Sequence, residues 1–219
     1  MGIPLRREER AFTYADYKLW PDEERWELID GAAYDMSPAP NRRHQGIVGT
    51  IFVELYQFLQ DKPCQAYIAP FDVRLAAQKD AADDEIVNVV QPDVSVFCSE
   101  EKLDDAGAVA APDIAVEVLS PYTSVKDQRE KLALYERFRV KEYWIIDPAN
   151  QTLSVYSQSG GGASLDTAPL GTGTSGGTET EDDSKTTGSY SKPAVYGPED
   201  TFSSSVVEGF QLKLAGVFG

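Results

Sequence analysis

Apolar and polar positions alternate on both sides of two turn signals, and this pattern predicts two β-hairpins. In the first, residues 26–36 alternate around Asp30-Gly31, a dipeptide that favours a tight two-residue turn. In the second, residues 141–157 flank a bend at 147–150 rich in turn-forming residues.

Helical spacing of apolar residues predicts three helices. A short one starts at Thr13, with Asp16 three positions later as in a capping box. The longest covers 42–60 and is apolar over much of its surface, which indicates a buried helix. The third covers 124–139.

Three further runs predict extended strands, at 64–76, 88–99 and 113–120, and one or two more strands are expected after Tyr196. Between the strands lies a Gly/Ser/Thr-rich segment, about 159–192, which contains few large apolar residues. We interpret it as a flexible insertion. The order of elements predicts a single α/β (α+β) domain over 1–219, with a mixed β-sheet flanked by helices.

Charge limits the kinds of partner this chain can bind. The net charge of −16 argues against non-specific coating of DNA, since phosphate binding needs a positive surface. Two local exceptions remain. Residues 120–142 carry six Lys or Arg against four acids, and Arg42-Arg43 forms a second basic spot.

The two cysteines, Cys64 and Cys98, lie far apart without a CxxC partner. We expect them to be buried thiols rather than a disulfide or a metal site. The sequence has no apolar run long enough for a membrane span and no secretory signal. Together these features predict a cytoplasmic protein that does not bind membranes.

Two acids stand in apolar strands. Side chains alternate along a strand, so Asp93 and Glu117 can meet if their strands pair with both acids on the same face. Two carboxylates at bridging distance repel each other and favour a divalent cation, for which Mg²⁺ is suited. The alternative is that each acid pairs with an Arg or Lys, or sits at the end of its strand.

Four stretches in this order resemble the Uma2 family of restriction-endonuclease-like proteins, within the PD-(D/E)xK nuclease superfamily. They are ERWELIDGAAYDMSPAPNRRHQ, VVQPDVSVF, PDIAVEVLSPYTSVKDQREKLALYERFRVKEYWIIDP and GFQLKL. The resemblance implies a mixed sheet flanked by helices and Mg²⁺-dependent cleavage of nucleic acid. We expect DNA as the substrate and Mn²⁺ as a substitute metal. It also implies a homodimer.

The resemblance assigns the residues of the site. Asp93 matches the Asp of the "PD" motif and Glu117 the second acid, so these two are the expected metal ligands and catalytic acids. The superfamily's lysine would stand two residues after Glu117, where this chain has Leu119. Lys131, on the following helix, is the predicted substitute. The alternative is a surface lysine paired with Asp127, four residues away.

Two further residues are candidates. Glu27 resembles an additional family acid that binds metal or orients water, and otherwise faces solvent. His44, the only histidine, is expected to contact phosphate or carry a proton, or else to be structural. The leading hypothesis is a metal-dependent nuclease. A catalytically decayed binding module on the same fold stays open, as does a plain structural domain if Asp93 and Glu117 face opposite ways.

Overall fold

The computed structural model describes most of the chain, namely residues 11–21, 24–36, 39–76, 78, 80–120, 127–158 and 189–219. Residues 124–126 of the predicted third helix and 159–188 of the predicted insertion therefore lie outside the described residues. Residues 189–192, the end of the predicted insertion, lie beside the strand that precedes the insertion, because Tyr190 forms a β-bridge with Gln158.

Most strands belong to two six-stranded mixed sheets. The central sheet contains β3 (Gln65–Ile68), β6 (Val94–Phe97), β9 (Ile114–Val118), β10 (Glu142–Asp147), β11 (Thr152–Ser157) and β12 (Ala194–Tyr196). The second sheet contains β1 (Trp26–Ile29), β2 (Ala32–Asp35), β4 (Val73–Arg74), β5 (Val89–Val90), β7 (Leu103–Asp104) and β8 (Gly107–Ala108). A separate pair is formed by β13 (Thr201–Ser203) and β14 (Gln211–Lys213).

Within the described residues, the helices are short except for one. They are α1 (Tyr14–Tyr17), α2 (Arg42–Phe58), α3 (Leu132–Arg137) and α4 (Leu214–Phe218). A π-helical turn, Asp127–Lys131, leads into α3, and a 3-10 turn covers Glu100–Lys102. Among these residues, no helix is long and apolar enough to cross a membrane. The predicted architecture, a mixed sheet flanked by helices, is confirmed, with two large sheets in place of one.

The second sheet exists because two predicted strands are each divided between the sheets. Residues 64–76 form β3 and β4, separated by a break at the cis Ala69–Pro70 bond. Residues 88–99 form β5 and β6, separated at Pro92. Proline has no amide hydrogen to donate to a ladder, so it ends pairing at both places. The prediction of one continuous strand in each run is wrong.

The first hairpin is confirmed, with β1 and β2 joined at Asp30-Gly31. Both turn residues have positive φ, 48° and 71°, as a tight hairpin turn requires. A side chain at Gly31 would also collide with Ala11, whose Cβ would lie 2.2 Å from the added atom. This turn fixes the register that places Glu27 within β1.

The central sheet separates two hydrophobic clusters. On one face, α2 and the C-terminal elements cover Val94, Val96, Val116 and Trp144. On the other face, α3 and part of the second sheet cover side chains that include Phe97, Ala115 and Tyr143. Glu117, the candidate functional residue within the central sheet, is on the same face as Ala115 and therefore lies between the sheets.

The expectation for the cysteines is wrong, because Cys64 and Cys98 form a disulfide. Gln65 pairs with Phe97 in the β3–β6 ladder, and the next pair outward is Cys64 with Cys98. The pairing depends on the register of strands distant in sequence, which the spacing of the two cysteines does not reveal. The predicted cytoplasmic location thereby loses the support that it drew from free thiols.

Asp113 is buried just before β9, and its contribution to the stability of the fold should depend on pH. Its carboxylate accepts hydrogen bonds from Lys102 Nζ (2.8 Å), Lys141 Nζ (2.7 Å) and the Cys98 amide (2.9 Å). Burial raises the pKa of Asp113, but these three hydrogen bonds outweigh it and hold the pKa below its ordinary value of 3.8. The stabilisation is therefore present at neutral pH and lost as pH falls below 3.8 toward the folded-state pKa.

We expect Asp113→Asn to lower the free energy of unfolding by about 2 kcal/mol at pH 7, because hydrogen bonds to a charged group are lost. Urea unfolding measures this difference in the free energy of unfolding between wild type and variant, and we expect it to be smaller at pH 3 than at pH 7. An equal difference at both pH values would show that the charge of Asp113 contributes nothing.

Candidate active site

Glu117 and Asp93 lie at the same end of the central sheet. Glu117 belongs to β9, on the face of Ala115, and Asp93 stands just before β6. In the antiparallel β6–β9 ladder, Val94 pairs with Val116 and Ser95 with Ala115. Continuing this register by one residue brings Asp93 opposite Glu117.

Lys131 reaches Glu117 and Glu27 from the helical side. Its Nζ lies 2.5 Å from Glu117 Oε1 and 2.9 Å from Glu27 Oε1, and the residue is only 2% exposed. Tyr135, one turn further along the helix, donates its hydroxyl to the same Glu117 oxygen at 3.1 Å. The surface-lysine alternative is therefore wrong, since Lys131 is buried between two carboxylates.

Glu27 belongs to the same cluster. It is fully buried in β1, and its Oε1 also accepts the backbone N–H of Gln91 at 2.9 Å. The solvent-facing alternative for Glu27 is wrong. The second sheet thus contributes an acid to a site whose other acids come from the central sheet.

His44 meets Asp93 from the start of α2. Asn41 caps this helix, accepting the His44 amide on its side chain at 3.0 Å. The His44 Nε2 then lies 3.2 Å from Asp93 Oδ2, and His44 is 7% exposed. The same Asp93 oxygen accepts the N–H of Val118 at 2.8 Å, which holds the carboxylate against the end of β9.

The five predicted residues form two contact groups, Lys131 with Glu27 and Glu117, and His44 with Asp93, and Asp93 accepts the N–H of the residue that follows Glu117. Glu27, Asp93 and Glu117 contribute three carboxylates against one ammonium group and one histidine. A divalent cation would offset this excess of negative charge. Within the described parts of the chain, no three His, Cys, Asp or Glu side chains are grouped to hold a metal. Mg²⁺ needs only one or two protein carboxylates, because it keeps several waters and takes further oxygens from substrate phosphate.

Sequence reasoning missed two residues of this site. The first is Tyr135, whose spacing of four from Lys131 was the available signal, because such residues share a helix face. The second is Gln91. Its side chain accepts from Arg25 Nη2 (2.9 Å) and donates to Asp72 Oδ1 (2.8 Å). A polar residue directly after the buried Val89-Val90 pair was the signal there.

The fold resembles that of a solved nuclease-like protein. A crystal structure from Anabaena variabilis ATCC 29413, described as "a putative nuclease belonging to DUF820", superposes with a TM-score of 0.66 over 94% of this chain and 97% of that one. The two sequences are 18% identical, so the similarity shows the fold alone. The search of curated proteins finds no match.

A second comparison, with models of protein families, shows the family to which this chain belongs. The family model of Uma2, described as "Putative restriction endonuclease", matches residues 14–179. The chain belongs to the Uma2 family. The resemblance drawn from the sequence motifs is thereby confirmed, and with it a nuclease-like fold.

Proposed function

We propose that the protein is a metal-dependent endonuclease that hydrolyses phosphodiester bonds of nucleic acid, with DNA as substrate. The position of Lys131 carries this proposal. Leu119 removes the lysine from its usual place on the strand, yet Lys131 Nζ contacts Glu117 from the following helix. The main objection to an active site is that no lysine stands two residues after Glu117. Lys131 answers this objection, because it brings an ammonium group to Glu117.

Asp93 and Glu117 are the residues that would hold Mg²⁺, with Mn²⁺ as a substitute. When bound, the metal would polarise a phosphate oxygen and lower the pKa of a bound water. Asp93 is suited to this role because the Val118 N–H and His44 fix its Oδ2. Glu117 is fixed in the same way by Lys131 and Tyr135.

Lys131 is placed to stabilise negative charge that develops on the phosphate during attack. A buried ammonium group held in position by two carboxylates needs no reorganisation when that charge appears. Glu27 positions Lys131 from the opposite side. His44, in contact with Asp93, is the nearest group on α2 able to accept or deliver a proton near neutral pH.

The surface beside His44 supports binding of a phosphate backbone. Arg42 and Arg43 are exposed at the start of α2. The basic segment 120–142 contributes less than its composition predicts, since Lys131 is buried, Arg137 pairs with Asp30 and Lys141 with Asp113. On a chain of net charge −16, binding should therefore depend on a few contacts and weaken strongly with salt.

We also propose the homodimer that the family resemblance implies. Light scattering on the purified protein should then give twice the 24.1 kDa of one chain. A mass of one chain at micromolar concentration would contradict this part of the proposal.

The function is tested by incubating plasmid DNA and single-stranded DNA with the protein in Mg²⁺, in Mn²⁺ and in EDTA. We expect cleavage with either metal and none in EDTA. Binding without cleavage in any metal would instead favour the decayed binding module.

A further inference from the structure

A large cavity lies beside the cluster of acids. Its volume is about 910 Å³, and it is an open cleft bordered by α1, the loop between β3 and β4, and the turn between β7 and β8. Six aromatic residues contribute to its lining: Tyr14, Tyr17, Trp20, Trp26, Tyr67 and Phe71.

The first link between the cavity and the candidate active site is Gln91. Its side chain lines the cavity, while its backbone N–H donates to Glu27. Trp26, which also lines the cavity, directly precedes Glu27 in β1. One ladder of the second sheet thus contributes to the cavity and to the acid cluster.

The second link is Tyr67. In the β3–β6 ladder it pairs with Ser95, and beyond the end of this ladder Ala69 donates its N–H to the Asp93 carbonyl at 3.1 Å. Residues placed diagonally across an antiparallel pair, as Tyr67 and Asp93 are, have Cα atoms about 7–8 Å apart. Tyr67, in the aromatic wall of the cavity, therefore lies about the length of one nucleotide from Asp93, a proposed metal ligand.

The chemistry of the lining suits a nucleobase better than a phosphate. Tyr67 and Phe71 form a flat stacked pair, with centroids 4.3 Å apart and planes 18° apart. Asp72, Gln91 and Arg25 supply hydrogen-bond donors and acceptors at the same cavity. Asp104 and Asp105 also line it and would repel a phosphate.

We propose that this cavity receives an unpaired nucleobase of the strand whose phosphate is bound at Asp93 and Glu117. The inference rests on the proposed nuclease function, and it narrows the substrate to nucleic acid with single-stranded or extruded bases. Stacking on aromatic side chains binds bases of any sequence. It also needs no positive surface, which agrees with the net charge of −16.

The test measures binding in EDTA, so that it does not depend on cleavage. A single-stranded oligonucleotide containing 2-aminopurine is titrated with wild type, Phe71→Leu and the control Tyr56→Leu. Tyr56 is an exposed residue of α2 that does not line the cavity. We expect wild type and the control to quench 2-aminopurine, and Phe71→Leu to bind about fivefold or more weakly, because base stacking is lost.

Intrinsic fluorescence gives a second readout. Two of the three tryptophans, Trp20 and Trp26, line the cavity, whereas Trp144 is fully buried in the other cluster. An oligonucleotide should therefore quench tryptophan emission, and one with abasic positions should not. If Phe71→Leu fails to fold by circular dichroism, Trp20→Leu replaces it.

The outcomes separate the two proposals. Metal-dependent cleavage without quenching would overturn the cavity inference and leave the nuclease intact. Quenching in EDTA without cleavage in any metal would support the cavity as a base site and overturn the nuclease. Tryptophan quenching by tetramethylammonium but by no oligonucleotide would overturn the inference in favour of a cation site.

Discussion

Replacing Lys131 with methionine is expected to lower the rate of nucleic-acid cleavage by about a hundredfold or more. Removing one preorganised group that stabilises negative charge in the transition state typically lowers the rate by about 10²–10³-fold. The same change should lower the free energy of unfolding by about 3–5 kcal/mol, because Glu27 and Glu117 are both buried and lose the cation between them. Methionine is chosen because it keeps most of the volume and the unbranched shape.

Cleavage assays and urea unfolding on the same preparations check both effects. The matched control is Lys213→Met, at an exposed lysine of β14. The double variant Lys131→Met/Glu27→Gln should regain part of the stability, since one buried charge is also removed, but no activity. Full activity in a destabilised Lys131→Met variant would show that the lysine is structural only.

Asp93→Asn is expected to weaken Mn²⁺ binding by about a hundredfold or more and to abolish cleavage. Loss of outer-shell partners alone weakens metal sites 10- to 100-fold, and this change removes the charge of one of two proposed ligands. Asparagine can still accept the Val118 N–H that Asp93 accepts, so the fold should persist.

Isothermal titration with Mn²⁺ measures the first effect directly. Asp61→Asn serves as control, because Asp61 is exposed after α2 and has a φ of 63° that asparagine tolerates. Equal Mn²⁺ affinity in wild type and Asp93→Asn would remove Asp93 from the metal site. The nuclease proposal would then need another ligand.

Local sequence signals predicted the parts of the fold that depend on near neighbours. The hairpin at Asp30-Gly31 follows from backbone preference, and the α2 helix from apolar periodicity. The face on which Glu117 lies follows from alternation of side chains along β9. These three features depend on residues that are close together in the sequence.

Features that depend on contacts between distant segments could not be predicted in this way. The division of 64–76 and 88–99 between two sheets depends on what each half pairs with. The Cys64–Cys98 disulfide depends on the register of β3 and β6. The role of Gln91 needs both the loop after β5 and the neighbouring β1.

Lys131 is an intermediate case. The sequence indicated a substitute for the lysine absent at Leu119, but helical spacing equally predicted a surface pair with Asp127. The burial of Lys131 excludes the surface pair, and burial depends on how distant segments of the chain pack together. Leu119, at 8% exposure, instead extends the hydrophobic cluster between the sheets. The chain thus places an apolar side chain on the strand and brings the positive charge in from the helix.

The most direct test of the central claim is to locate Mn²⁺ by anomalous scattering in crystals of the protein grown or soaked with that metal. We predict one strong peak with an oxygen from Asp93 and an oxygen from Glu117 within about 2.0–2.6 Å, and Lys131 Nζ beside Glu117. Mn²⁺ bound elsewhere, with nothing between these two carboxylates, would contradict the account.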